Sequence, residues 1–372
     1  MTKTQIRLLL VMLVAAHLSY GQTYQFYAGN LHAHTGYSDG NKDAATTHVG
    51  TPKGSFDYAK KSEHFDFLGI SEHNHSGAKM KLPNYAKGLK EAEQSTTSKF
   101  LCLYGMEYGV ISKGGHVLIY GVNDLIGWEP GNFDVECPRS NYTELWNLLA
   151  AYPNAFATLA HPEKADYQNL LNTPYNKTAD KVICGVAIMT GPAFAEETDY
   201  SRNASKKFID YFRSLLAAGY HVGPTVDHDN HFLTFGSMAS SRTIVLSKTL
   251  DKKSITDAYR SMRFYATTDW NAHVTFEING FPMGKMINTK TSTKIKVSVT
   301  DADPGDDVAA IKVMYGEPGS GTQSTQLVKE TTNTLEHTDN VPKGKERYYY
   351  LEITQKDGDK IFTSPIWVRR VN

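Results

Sequence analysis

Short apolar runs alternate with helix-like stretches between residues 55 and 262. The apolar runs have the length and composition of buried strands, and they lie at 67–70, 100–104, 116–120, 155–159, 182–189, 221–226 and 242–246. Apolar positions at helical spacing predict helices beside them, at 55–64, 85–94, 142–151, 206–218 and 253–262. In the fourth of these, Phe208, Tyr211 and Leu215 fall on one helical face. This alternation is typical of βα units around a parallel sheet or barrel.

The pattern changes after Asp269, where strand-like runs follow one another without an intervening helix. These runs lie at 274–278, 294–300, 309–315, 326–328 and 348–353, separated by turn clusters such as 303–305 and 357–359. Such a pattern predicts an antiparallel β-sandwich of about a hundred residues. We therefore expect an α/β domain at residues 22–268 and a C-terminal β-sandwich domain at residues 269–372.

The N-terminus has the pattern of a secretory signal peptide. Lys3 and Arg7 precede an apolar run at 8–16, and a small residue, Gly21, follows at a suitable cleavage site. The run is about half the length of ~20 residues that a membrane-crossing helix requires. We expect residues 1–21 to be removed and the protein to be exported to the periplasm or the extracellular space, with no membrane span left.

Charge and cysteine content exclude several classes of function. Lys plus Arg equals Asp plus Glu at 39 each, so the chain lacks the basic excess of a protein that binds nucleic acid over a long footprint. Three widely spaced cysteines offer neither a disulfide scaffold nor a C-x-x-C metal site. Cys102 and Cys184 lie inside apolar runs, which predicts that they are buried small hydrophobic residues.

Histidines and carboxylates gather at the ends of the predicted strands, where α/β sheets and barrels place their sites. His32 and His34 are two residues apart in an extended segment, so both rings face one side. Nine nitrogen and oxygen donors exceed one tetrahedral shell and suit two or three divalent ions such as Zn, Mn or Fe. The nine candidate ligands are His32, His34, Asp39, His73, Glu107, His116, His161, Asp229 and His231.

The last motif has two possible registers. Asp227 and His228 directly precede Asp229, so either Asp227 with His228 or Asp229 with His231 could form the final pair of metal ligands.

The order of these motifs resembles that of the PHP superfamily, named for polymerase and histidinol phosphatase: H-x-H, S-D-G, E-H-N, G-x-E, a single His, A-H-P and D-x-H. The resemblance covers about residues 28–268 and implies a distorted (βα)7 barrel with three metal ions at the strand carboxyl ends. The signal peptide and the β-sandwich are most similar to a secreted branch that includes a carbamate-insecticide hydrolase. Glu72 departs from the pattern, since Asp is commoner before the metal-binding histidine.

The resemblance also implies how the ligands are divided among the ions, with Glu107 as a bridge. The first ion would be held by His32, His34, Glu107 and Asp229, the second by Glu107, His116 and His161, and the third by Asp39, His73 and His231.

The resemblance implies an exported metal-dependent phosphoesterase that acts on a small or polymer-linked phosphate mono- or diester. Bound cations lower the pKa of a water ligand from about 15.7 to about 7, so the nucleophile would be that water. His75 or His228 would protonate the leaving group or support the ligands. Two alternatives remain open: hydrolysis of a carbamate or carboxylic ester at the same site, and a metal-containing protein that binds a glycan or a partner chain.

Overall fold

The computed structural model describes residues 24–372 and has a mixed α/β fold. The predicted signal peptide, residues 1–21, lies outside the described residues. One mixed sheet of 16 strands forms most of the fold, and a four-stranded antiparallel sheet and a two-stranded sheet complete it. Within residues 24–372, no helix combines the length and the apolar character needed to cross a membrane.

Residues 24–268 contain twelve strands and eight α-helices. In chain order they are β1 (Gln25–Asn30), α1 (Ala44–Thr47), α2 (Pro52–Ala59), β2 (Phe67–His73), α3 (Leu82–Ser95), β3 (Leu101–Val110), β4 (Gly115–Tyr120), β5 (Ile126–Gly127), β6 (Val135–Glu136), α4 (Tyr142–Ala151), β7 (Phe156–Ala160), α5 (Asp166–Asn169), α6 (Lys177–Val182), β8 (Ile183–Thr190), β9 (Lys206–Lys207), α7 (Ile209–Ala218), β10 (Gly223–Asp227), β11 (Arg242–Ser247), α8 (Lys252–Arg260) and β12 (Phe264–Thr267). Short 3-10 turns lie at Ser76–Ala78, Ile111–Lys113 and Leu170–Asn172.

Residues 269–372, all of which the structure describes, contain strands and no helix, as predicted. The strands are β13 (His273–Ile278), β14 (Phe281–Pro282), β15 (Met286–Thr289), β16 (Thr293–Thr300), β17 (Val308–Gly316), β18 (Thr325–Glu330), β19 (Thr334–Asp339), β20 (Glu346–Gln355), β21 (Lys360–Thr363) and β22 (Ile366–Arg370). Each of the predicted runs falls in one of these strands, and the sequence pattern missed β14, β15, β19, β21 and β22.

Helix boundaries follow local capping chemistry. The helix predicted at 55–64 begins earlier, at Pro52, because the Thr51 side chain accepts a hydrogen bond from the Gly54 amide and proline suits the first helical turn. The helix predicted at 206–218 begins only at Ile209, because the backbone of Lys206–Lys207 pairs with β8. It ends at Gly219, which takes a left-handed φ of 100°.

The strand order places the carboxyl ends of six parallel strands at one edge of the sheet. The order is β10-β8-β7-β4-β3-β2-β1, and β4 is the one strand of these seven that is antiparallel to its neighbours. The first residues of β4 therefore lie at that same edge. Backbone bonds from His34 N to Asn230 O and from Asp229 N to His32 O, both 2.9 Å, join the segments that follow β1 and β10.

The same sheet continues into the C-terminal part of the chain. From β1 the order runs through β11, β12, β21, β20 and β17 to β18, and β12 pairs with β21. The second sheet, β14-β13-β16-β19, is antiparallel and packs on β17 and β20 through a core that includes Phe276, Val297, Ile311 and Leu351. The predicted domain boundary at 268/269 lies directly after β12, although strand pairing crosses it. One pair, β15 with β22, is parallel rather than antiparallel as expected.

Candidate metal centre

The nine candidate ligands lie together at the strand edge described above. His32 and His34 follow β1, His73 ends β2, and Glu107 lies in β3. The antiparallel direction of β4 brings His116, its second residue, beside Glu107. His161 directly follows β7, and Asp229 and His231 lie just beyond β10. Asp39 comes from the loop after β1 and closes the cluster on the side of His231.

Glu107 lies at the centre of the cluster, where each of its two oxygens faces more than one imidazole nitrogen. Its carboxylate is 1% exposed. An anion in this position can interact with several cations or protonated rings at once. Its Oε1 lies 2.7 Å from His116 Nδ1, 3.2 Å from His32 Nε2 and 3.3 Å from His161 Nε2, and its Oε2 lies 3.1 Å from His34 Nε2 and 3.2 Å from His73 Nδ1.

Two aspartates complete the cluster on either side of Glu107. Asp229 Oδ1 is 3.1 Å from both His32 Nε2 and His34 Nε2. Asp39 Oδ1 is 3.4 Å from His231 Nε2 and 3.7 Å from His73 Nε2.

The cluster contains three groups of donors, and within each group the ligand atoms all lie within 4.8 Å of one another. One is the set expected for the first ion, and another is the set expected for the third ion with His34 added. The last group contains Glu107 and His116 of the set expected for the second ion, but with His73 in place of His161. His161 Nε2 lies 3.4 Å from His116 Nδ1. The groups are His32, His34, Glu107 and Asp229; His34, Asp39, His73 and His231; and His73, Glu107 and His116.

The spacing and pairing of the donor atoms suit bound divalent cations better than direct hydrogen bonds between the donors. Among the described residues, His32 Nε2, His73 Nδ1 and Glu107 Oε2 are buried and have no hydrogen-bond partner of acceptable geometry. Unpaired buried polar atoms are costly and call for an ion or another partner. Two ligands bound tetrahedrally at about 2.0–2.1 Å from one zinc ion lie about 3.3–3.4 Å apart. The spacings in the cluster are close to this value, and its donors are imidazoles and carboxylates, as Zn, Mn and Fe prefer.

The charge state of Glu107 and that of His73 favour cation binding. Burial alone would raise the pKa of Glu107, but the imidazoles of His116 and His32 outweigh it and hold the pKa well below its usual value. Glu107 is therefore ionised. Burial lowers the pKa of His73 to about 3, so its ring is neutral near pH 7, the form that binds a metal ion.

The position of Asp227 indicates which residues of the last motif face the cluster. Its Oδ2 lies 3.2 Å from Nδ1 of His32, behind the ring, and directs His32 Nε2 toward Glu107 and Asp229. A carboxylate behind a metal-binding histidine commonly fixes its orientation. Asp229 and His231 thus have their side chains in the cluster, and the sequence did not predict that Asp227 lies behind His32.

Glu72 supports the loop that carries Asp39. It is fully buried, and its carboxylate accepts hydrogen bonds from the Thr35 amide at 3.1 Å and from the hydroxyls of Thr35 and Ser38. Strand alternation points Glu72 away from the side occupied by His73. Gly40 lets the same loop fold back, because a Cβ there would come within 2.2 Å of the His34 carbonyl.

The backbone is strained at two of the candidate ligands. His161 and Asp229 have φ values of 32° and 58°, in the left-handed region that side chains disfavour. Such strain persists where surrounding structure holds it, and it concentrates at functional sites.

The two candidate acid–base histidines have different positions. His75 is half-buried, its ring lies 5.7 Å from that of His73, and it stacks on Trp128 at 5.6 Å. His228 is fully buried, with its Nε2 2.8 Å from the Ser241 carbonyl oxygen. Burial lowers the pKa of His228 to about 3. A fully buried ring bonded to the backbone is poorly placed to give a proton to a substrate, so the position of His228 favours the supporting role over the acid–base role.

Residues that the sequence did not single out surround the exposed side of the cluster. Phe194 is 61% exposed, and its ring lies 4.8 Å from that of His231. Lys42 Nζ is 3.6 Å from Asp39 Oδ2 and 5.6 Å from the Phe194 ring. These residues come from loops without a distinctive pattern, so only the folded chain brings them to the ligands.

Comparisons with known proteins do not identify a relative. No model of a known family and no curated protein matches the chain. A superoxide reductase (neelaredoxin) from Ignicoccus hospitalis aligns at 13% identity over 27% of this chain and 83% of that one, with a TM-score of 0.22. Fibronectin(III)-like modules of Clostridium thermocellum CbhA align at 20% identity over 26% and 96%, with a TM-score of 0.17. An engineered protein aligns at 10% identity over 91% and 93%, with a TM-score of 0.22. Likenesses this weak carry no conclusion about fold or function.

Proposed function

We propose that this protein is a metal-dependent hydrolase of the PHP type that cleaves a phosphate mono- or diester. The proposal rests on the position of Glu107, whose two buried oxygens face five imidazole nitrogens at 2.7–3.3 Å. A single carboxylate so placed can be shared by two cations. The seven-strand path from β10 to β1, with its ends joined by backbone bonds after β1 and β10, supports a distorted (βα)7 barrel.

The ligands would hold two or three ions in the groups described above, with Glu107 shared between them. Such ions, when bound, lower the pKa of water and neutralise negative charge on a phosphoryl oxygen. Within the chain, Asp227 holds His32 in orientation, and Glu72 holds the loop of Asp39.

Two residues beside the cluster fit roles toward the substrate. His75 is the half-buried histidine that lies next to a ligand, so it is placed to give a proton to a departing oxygen. Lys42 lies at the exposed side of Asp39, where its ammonium group can contact a non-bridging phosphate oxygen.

A second candidate function is hydrolysis of a carbamate or carboxylic ester. It is favoured by Phe194 and Trp128, which place aromatic rings beside His231 and His75 and could contact an apolar or aryl group. Phosphate esters carry charge that Lys42 can pair with, whereas neutral esters do not. Lys42→Ala should therefore raise KM for a phosphate ester and leave KM for a neutral ester nearly unchanged, while Phe194→Ala should do the reverse.

The experiment that tests the proposal is turnover of an aryl phosphate, an aryl phosphodiester and an aryl ester by the purified protein. Each is assayed after dialysis against chelator and after return of Zn²⁺ or Mn²⁺. Metal-dependent release of the aryl alcohol from either phosphate substrate supports the phosphoesterase. Cleavage of the aryl ester without cleavage of either phosphate substrate supports the second candidate. Metal binding without turnover of any of these substrates would point instead to a metal-containing binding protein.

A further inference from the structure

A second group of carboxylates lies far along the chain from the histidine cluster, where the two parts of the fold meet. Ligand atoms of Asp269, Asp301 and Asp306 all lie within 4.8 Å of one another. Asp269 follows β12, and Asp301 and Asp306 come from the connection between β16 and β17. Asp357 and Asp359, in the turn between β20 and β21, lie close enough to act electrostatically on Asp306. Three separate segments thus bring five aspartates to one place.

None of the ion pairs between described side chains involves any of these five aspartates. The nearby Lys356 is paired with Asp307 at 2.8 Å. Burial, with Asp301 adding to it, raises the pKa of Asp269 to about 7. Burial and the neighbouring Asp357 and Asp301 raise that of Asp306 to about 6. In both cases burial is the largest cause and neighbouring carboxylates add to it, and a bound cation would offset both.

Gln355 provides an independent sign of a ligand. It ends β20, is 1% exposed, and its amide reaches into the group, with Nε2 3.1 Å from Asp269 Oδ2 and 2.7 Å from Asp301 Oδ2. Its Oε1 is buried without a hydrogen-bond partner among the described residues. A half-turn of the terminal torsion exchanges the two amide atoms. After this rotation Oε1, instead of Nε2, would face the carboxylates of Asp269 and Asp301. This is the orientation expected if a cation lay between the amide and the two carboxylates.

We propose that Asp269, Asp301, Asp306 and Gln355 form a Ca²⁺ site. The donors are all oxygens, which exclude the softer metals that prefer imidazole or thiolate. They come from several loops, an arrangement that suits the 6–8 oxygen ligands and flexible geometry of Ca²⁺ better than the strict octahedron of Mg²⁺. The ion ties the segment after β12 to the β16–β17 connection and to the end of β20, so it stabilises the contact between the α/β part and the β-strand part.

The test uses the full chain with its histidine cluster saturated with Zn²⁺, so that added Ca²⁺ can only bind elsewhere. Calorimetric titration measures the Ca²⁺ affinity, and thermal unfolding at pH 8 measures stability with and without Ca²⁺. The variants are Asp301→Asn and Asp306→Asn. The matched control is Asp307→Asn, which removes an equal charge from the same loop but from the exposed carboxylate paired with Lys356.

We expect one Ca²⁺ per chain, binding at least about tenfold more tightly than Mg²⁺. Each of the two variants should weaken Ca²⁺ binding at least about tenfold, and the control should keep it. Without Ca²⁺, Asp306→Asn should unfold at a higher temperature than the unaltered protein, because one like charge is gone; with Ca²⁺, the order should reverse. No Ca²⁺ binding after Zn²⁺ saturation, or equal affinity in the variants and the control, would overturn the proposal. Neither readout depends on hydrolysis.

Discussion

Glu107→Gln tests the metal centre most directly, because it keeps the size of the side chain and removes one negative charge. The carboxylate is 1% exposed and lies 2.7–3.3 Å from five imidazole nitrogens. At about 3.2 Å and an effective dielectric of ~20, a pair of unit charges interacts by about 5 kcal/mol. Part of this lost interaction energy is offset, because a neutral glutamine amide costs less free energy to bury than a carboxylate. We expect metal affinity to fall at least about 100-fold, or about 3 kcal/mol.

The same substitution should change how the stability of the metal-free protein depends on pH. Burial disfavours charge on His34, but Asp229 and Glu107 outweigh it and raise its pKa from 6.5 to about 9. A group whose pKa rises on folding adds stability that is complete below its unfolded pKa and is lost as pH rises through the folded value. A shift of about 2.5 units is about 3 kcal/mol, shared between the two carboxylates. Glu107→Gln should cost at least about 1–2 kcal/mol at pH 6 and less at pH 9.

Three measurements check this reasoning. Metal content is determined after dialysis at a fixed free Zn²⁺ concentration, turnover is measured on the preferred substrate, and denaturant unfolding is followed at pH 6 and pH 9 in chelator. Glu163→Gln is the matched control, because its exposed side chain lies two residues from His161 and outside the donor set. Normal metal content with near-normal turnover in Glu107→Gln would remove Glu107 from the site. A stability loss equal at both pH values would show that the charge on the histidines is not its cause.

Other predictions concern residues around the ligands and the N-terminus. Asp227→Asn should lower metal affinity about 10–100-fold, less than Glu107→Gln, because it only orients His32; unchanged zinc content would contradict this role. His75→Ala should lower kcat while metal content stays constant, and a normal kcat at all pH values would exclude it as the proton donor. His228→Ala should lower the free energy of unfolding without changing the kcat of the folded fraction, as kinetics and denaturant titration would show. N-terminal sequencing of the exported protein should begin near Gln22, and an intact N-terminus on protein recovered from the cytoplasm would refute the signal peptide.

The sequence was most informative where function depends on short segments. Each predicted strand end carries its own polar residues, so His32 with His34 and Asp229 with His231 could be recognised from spacing alone. The predicted burial of Cys102 and Cys184 is confirmed, at 4% and 5% exposure. This prediction was also local, because an apolar run predicts a buried environment for the residues within it. The run of β-strands after Asp269 and the α/β class of the fold could likewise be predicted from local patterns that repeat along the chain.

The tertiary structure decided which of these residues meet and in what capacity. Asp227 and Asp229 have the same side chain two residues apart, and only the folded chain places one beside Nδ1 of His32 and the other beside its Nε2. The pairing of β12 with β21 joins two regions that sequence patterns separate, and Gln355 reaches Asp269 across 86 residues. Periodicity and turn chemistry act within one segment, so they can be seen in the sequence. Contacts between distant segments depend on how all the strands pack, and no single stretch of residues encodes that arrangement.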